Sequence, residues 1–176
     1  GIQWRIQRIL DKYSFGDVFI EPNDVVIDVG ANVGEFAVGA AKVSTKVYCF
    51  EPDQACLPAL RKNTEQIAEI EIDTHAVSAE SGEIQFFRNT STTDSSTIQP
   101  EKYTFAETVE SVSLDDFCNR NGIEIVDFLK IEAEGAEPEV LEGASELLSA
   151  ARIRKIAIDA GPERHGLPTV ETTKQS

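Results

Sequence analysis

The segment Val25-Val26-Ile27-Asp28-Val29-Gly30-Ala31-Asn32-Val33-Gly34 constrains this chain more than any other. Its branched apolar run predicts a buried strand from Val25 to Val29. Its two glycines predict a tight loop, and Glu35 to Val43, rich in small residues, predicts a helix directly after it. A strand, a helix and a second strand in succession is the pattern of a parallel pair joined by a crossover. Lys46 to Phe50 supplies that second strand, residues 54–68 a second helix with Leu57, Leu60 and Ile67 inward, and Ile70 to Val77 a third strand. This order predicts an α/β fold: a doubly wound, mostly parallel sheet with helices on both faces.

The middle of the chain breaks the alternation. Glu83 to Arg88 reads as a short strand after Ser81-Gly82, residues 89–97 as an exposed polar loop, and Thr108 to Ser113 as another strand. Ser113 or Asp115 is placed to cap a helix running to about Asn121. Val126 to Ile131, Pro138 to Ala150 and Ile153 to Ile158 then resume strand, helix and strand. At the other end, Ile2, Ile6, Ile9 and Leu10 form one face of a helix, with Arg5, Arg8 and Lys12 toward solvent. The expected organisation is a helical lead-in over 1–20, one domain over 21–165, and a polar tail over 166–176.

Composition excludes several classes. Sixteen basic against 31 acidic residues give a net charge of −15, which repels phosphate backbones and anionic lipid, so nucleic acid is not an expected partner. No apolar run approaches the ~18 residues of a bilayer span, and no basic and then apolar leader opens the chain, so no membrane insertion and a cytoplasmic address are expected. Cys49, Cys56 and Cys118 are too few and too scattered for a zinc site. A chain with no methionine that opens on Gly1 reads as a trimmed or processed product.

Chemistry gathers where strands end. A dinucleotide site carries G-x-G-x-x-G and faces a pyrophosphate. Here the spacing is G-x-x-x-G with Asp28 just before it. A carboxylate beside the loop disfavours a pyrophosphate and favours a ligand with an ammonium and a sulfonium, as S-adenosylmethionine has. Asp28, Gly30, Ala31, Asn32 and Gly34 are therefore candidate cofactor contacts. Glu51, followed by Pro52 and Asp53 at the tip of the second strand, lies about 20 residues on, as a ribose-binding carboxylate does. Capping of the next helix is the competing role, and it suits Asp53. His75 and Ala76, at the end of the third strand, fall close to where adenine should lie.

The third segment, Val126 to Leu141, delivers Lys130, Glu132 and Glu134 to the same edge of the sheet, and Glu137 and Glu139 to the first turn of a helix. These carboxylates could hold a divalent cation. No Asn or His completes a ligand set, so no metal is expected.

Asp28-Val29-Gly30-Ala31-Asn32-Val33-Gly34, Phe50-Glu51-Pro52 and Leu129-Lys130-Ile131-Glu132-Ala133-Glu134-Gly135-Ala136-Glu137 resemble three motifs of the FkbM family of S-adenosylmethionine-dependent methyltransferases, and Ser113-Leu114-Asp115-Asp116-Phe117 resembles the stretch before the third. The resemblance spans roughly residues 20–165 and implies a class I, Rossmann-like fold, S-adenosylmethionine as cofactor, and O-methylation of a small molecule, sugar or lipid-linked glycan. It departs at Glu132, where the family more often has aspartate, and at Pro138, where leucine is commoner. The family's closing antiparallel strands have no counterpart in the polar stretch after Ile158, so either they are absent from this product or this variant ends early. On this reading Lys130, Glu132 and Glu134 line the acceptor side, Glu134 is the first choice of general base, and His75 and His165 are weaker ones. A nicotinamide-dependent oxidoreductase and a non-catalytic binding domain on the same fold are the alternatives.

Overall fold

A computed structural model describes residues 2–89, 95–100 and 102–159. In chain order the elements are α1 (Ile2–Lys12), β1 (Val25–Val29), α2 (Glu35–Ala40), β2 (Lys46–Phe50), α3 (Leu57–Thr64), β3 (Ile70–Asp73), β4 (Ala76–Val77), β5 (Gly82–Arg88), β6 (Phe105–Val112), α4 (Leu114–Asn121), β7 (Phe128–Ile131), α5 (Glu137–Glu142), α6 (Ser145–Ser149) and β8 (Ile156–Ile158). They divide into two units. The first comprises the chain up to Thr74 with Glu124–Ile131 and Ala151–Ile158, and the second contains His75–Ile123 and Glu132–Ala150.

The first unit is the parallel sheet that the sequence predicts, with strand order β3-β2-β1-β7-β8. Every pairing in it is parallel, and the register sets Asp28 beside Cys49 on one neighbour and beside Lys130 on the other. Side chains alternate between faces along each strand. Val26, Val47, Cys49 and Phe128 therefore share one face, where they pack with Tyr13, Phe36, Ala37, Ala40, Leu57 and Leu60. Ile27, Val29, Leu129 and Ile131 of the opposite face are buried as well, as parallel strands require. Ile6 and Leu10 of α1 lie against Gly39 of α2. The lead-in is fastened by Lys155, whose Nζ donates to the Phe19 carbonyl (2.9 Å) and pairs with Glu21 (2.7 Å) and Asp24 (3.0 Å).

The second unit holds a three-stranded sheet in the order β4-β6-β5. β5 and β6 pair antiparallel from Gly82↔Ser111 to Arg88↔Phe105, so the predicted strand at Thr108 begins three residues earlier. The single strand expected over Ile70–Val77 is two. β3 pairs with β2, whereas β4 pairs with β6 in the other sheet. The polar Asp73-Thr74-His75 interrupts the apolar alternation between them.

The helix expected over Pro138–Ala150 is also two, α5 and α6, separated at Gly143. A Cβ there would sit 2.1 Å from the Ser78 carbonyl oxygen, so the backbones meet at a distance only glycine permits. Asp115 secures the break from both sides: its amide donates to the Gly143 carbonyl, and its carboxylate accepts the amides of Glu146 and Leu147, which open α6. Ser113, not Asp115, caps α4, its hydroxyl accepting the Asp116 amide. Two shorter helices also differ from expectation. α2 ends at Ala40, and α3 starts at Leu57 because Asp53 first holds a turn by accepting the Ala55 amide (2.8 Å).

Candidate functional site

Strand order reverses direction between β1 and β7: the chain leaves β1 toward β2 on one side and β7 toward β8 on the other. In open parallel sheets the crevice at the carboxyl ends of such a pair is where ligands bind. Here that point carries Asp28 on β1, Lys130 on β7, the Gly30–Gly34 loop, and Glu51 at the tip of β2.

The loop is built from three left-handed residues, Gly30 (φ 74°), Asn32 (φ 50°) and Gly34 (φ 86°). At Gly34 the left-handed φ favours glycine, and a Cβ would lie 2.7 Å from Leu60 Cδ1 of α3, which would have to shift. Its amides turn inward. Gly30 and Ala31 both donate to the Phe50 carbonyl, Gly34 donates to Ala31, and Asn32 donates to Glu51 Oε2 (2.7 Å). A pyrophosphate cradle works the opposite way, with loop amides aimed at the ligand.

Glu51 is 6% exposed. Besides Asn32, it accepts the Asp53 amide at Oε1 (2.8 Å). Burial pushes its carboxyl from the usual 4.5 up to about 7, against the opposing pull of the Asp53 and Asn32 amides. The folded chain therefore holds this proton more tightly than the unfolded chain does. That stabilisation is complete below pH 4.5 and is lost as pH rises through about 7. The shift corresponds to about 3 kcal/mol. Urea unfolding of wild type and Glu51→Gln should thus give a stability difference that swings against the wild type by about this amount between acid and pH 8. A difference that stays flat with pH would remove Glu51 as the titrating group.

Asp28 is 0% and Lys130 2% exposed. The Lys130 ammonium lies 2.9 Å from Asp28 Oδ1 and donates to the carbonyls of Gly30 (2.7 Å) and Val29 (3.1 Å). The rings of Tyr13 and Phe36 lie 5.6 and 6.0 Å from it. Both side chains were expected at a ligand, Asp28 at the cofactor and Lys130 on the acceptor side. The structure pairs them with each other beneath the loop, because the β1–β7 register sets them side by side on the helix-covered face. Cys49 joins them there, its thiol pushed up by burial and then by Asp28.

Of the other predicted residues, Gly30, Ala31, Asn32, Gly34, Glu51 and Pro52 lie in this first unit, where the Asn32–Glu51 bond joins loop and strand tip. His75, Ala76, Glu132 and Glu134 belong to the second. There His75 is 3.8 Å from Glu110, and Ala76 is buried in β4. Glu132 and Glu134 lie in the turn after Ile131, half-buried, with Glu134 left-handed at φ 50°. His165 and the 166–176 tail lie outside the described residues. Among the described residues no cluster of three His, Cys, Asp or Glu is arranged to hold a metal, and no helix is long and apolar enough to cross a membrane.

Two residues outside the predicted site organise the acidic turn. Glu137, read as a first-turn residue favouring the helix dipole, is 1% exposed, and its Oε1 accepts the amides of Ala133 (2.9 Å) and Gly135 (3.2 Å). Ser96, in a stretch read as exposed loop, is buried; its hydroxyl donates to the Glu134 carbonyl (2.7 Å), and its backbone bridges Phe87. A glutamate between a glycine turn and a helix-starting proline is a signal that could have marked Glu137. Nothing in the serine- and threonine-rich run distinguishes Ser96.

Residues 28–169 match the methyltransferase FkbM domain. The chain belongs to the FkbM methyltransferase family. It is 28% identical over 150 residues to the 2-O-methyltransferase NoeI of Sinorhizobium fredii, covering 75% of this chain and 62% of that protein. It is 25% identical over 162 residues to the hexuronic acid methyltransferase AglP of Haloferax volcanii, covering 90% and 66%. The chain thus spans a little under two thirds of the curated relatives it matches. The crystal structure of an FkbM methyltransferase from Methylobacillus flagellatus shares the fold, with a TM-score of 0.60 at 18% identity, covering 86% of this chain and 36% of that one.

Proposed function

We propose that this FkbM protein is an S-adenosylmethionine-dependent O-methyltransferase whose acceptor is a hydroxyl of a sugar or glycan. The cofactor assignment rests on the inward-turned loop beside Glu51. Four of its amides are spent inside the chain, and a buried carboxylate stands at the next strand tip. That arrangement offers an acceptor to ribose hydroxyls and little to a pyrophosphate, which favours an adenosyl ligand over a dinucleotide. Names of two relatives, one a 2-O-methyltransferase and one acting on a hexuronic acid, support the acceptor class.

S-adenosylmethionine, when bound, supplies an electrophilic methyl group. The Gly30–Gly34 loop with Glu51 and Pro52 is proposed to hold it, and His75 and Ala76 to face its adenine. Glu134 is proposed to take the proton of the acceptor hydroxyl, with Glu132 orienting that hydroxyl. The Ser96 and Glu137 bonds fix the turn on which both sit. In-line transfer demands such fixing, since small errors of alignment are costly.

Calorimetric titration decides the cofactor. S-adenosylhomocysteine should bind at micromolar concentration and NADH should not bind in the millimolar range. Affinity should rise as pH passes about 7, because hydroxyl donors favour the ionised form of Glu51. Binding of NADH alone would establish the oxidoreductase alternative instead. A methyl-transfer screen over uronic acids and oligosaccharides then tests the acceptor.

A further inference from the structure

We infer that Lys130 is a positioning residue for the cofactor loop: its ammonium acts as a strut that holds the carbonyls of Val29 and Gly30 while Asp28 holds the ammonium. The inference rests on the cofactor reading above, and it gives Lys130 a task that its place in the third motif does not disclose.

Three contacts define the strut. Nζ donates to Gly30 O at 2.7 Å and to Val29 O at 3.1 Å, and it forms an ion pair with Asp28 Oδ1 at 2.9 Å. The two carbonyls belong to the last residue of β1 and the first of the loop, where the chain turns into the left-handed Gly30. Fixing them fixes the peptide planes that follow. The Gly30 and Ala31 amides are then set on the Phe50 carbonyl, and the Asn32 amide on Glu51. The β7 lysine thus determines where the loop and the β2 carboxylate stand relative to each other.

Burial makes the strut rigid. At 2% exposure, with the Tyr13 and Phe36 rings near the same ammonium, the side chain has no solvated alternative to these contacts. A buried ion pair is seldom needed for stability, since apolar residues of similar volume often replace it without loss. Its three-way geometry suits the placing of a loop, and that difference separates the two roles experimentally.

The test is the double variant Asp28→Leu with Lys130→Met, in which no uncompensated charge remains. The expected result is a folded protein with near-wild-type melting, amide exchange at Gly30, Ala31 and Asn32 faster by at least about tenfold without ligand, and S-adenosylhomocysteine binding weaker by a similar factor. Unchanged exchange with unchanged binding would overturn the strut. Loss of acceptor turnover alone, with both readouts intact, would also overturn it and return Lys130 to the acceptor side. Should the double variant fail to fold, Lys130→Arg keeps a cation for Asp28 but not the compact ammonium geometry. It should melt like wild type yet exchange faster in the loop, and wild-type exchange there is the overturning result. If the wild type itself does not bind S-adenosylhomocysteine, the cofactor reading falls, while ligand-free loop exchange still decides the strut.

Discussion

Glu51→Ala is expected to weaken S-adenosylhomocysteine binding by about 100-fold or more while the protein remains folded. Two ribose hydroxyls donating to one carboxylate make two hydrogen bonds to a charged group, each worth about 1.5–3 kcal/mol. Their loss together corresponds to roughly two to four orders of magnitude in Kd. The variant also releases the Asn32 amide, so the loop loses its tie to β2 and the remaining contacts are less well set. Folding should tolerate the change, because removing the carboxylate also removes the cost of burying its charge at neutral pH, which is what lifts its proton affinity. Titration calorimetry at pH 8, with circular dichroism as the folding control, measures both. A loss smaller than about fivefold, on the same scale, would move the ribose acceptor elsewhere.

Gly143→Ala should have the opposite profile, a large loss of stability from a residue that touches no ligand. The added methyl would lie 2.1 Å from the Ser78 carbonyl oxygen and 3.1 Å from its carbon. Both neighbours are backbone, so neither can rotate away. Separating the segments would disturb the Asp115–Gly143 bond and the Asp115 cap on α6 together. Overpacking costs about 1–3 kcal/mol where side chains can yield, and a lost cap about 1 kcal/mol more, so a loss of about 3 kcal/mol or more is expected. In a chain of this length that lowers Tm by roughly 6–12 °C. A melt within about 2 °C of wild type would show that Ser78 and Gly143 can part at little cost.

These two residues also differ in how they could be found. Glu51 was legible because it stands at a fixed place in a local pattern: an apolar strand, an acidic tip, then proline. The same holds for β1, β2 and the Gly30–Gly34 loop, whose boundaries follow from side-chain alternation and from glycines that alone allow the turn. Gly143 falls inside one predicted helix, because the reason for the break lies in the Ser78 carbonyl, 65 residues earlier in the chain. The split of β3 from β4 likewise depends on which strands each half finds as neighbours.

The sequence by itself determined the parallel α/β architecture and the family. Periodicity, turn chemistry and short motifs are properties of neighbouring residues. Only the tertiary structure decided which charges meet. Asp28 and Lys130 come together because β1 and β7 lie in register on a covered face, where Lys130 also reaches the loop carbonyls. The same closure turns Glu137 and Ser96 inward to fix the acidic turn. Partners so far apart in the chain are chosen by the fold as a whole, so no local pattern records them.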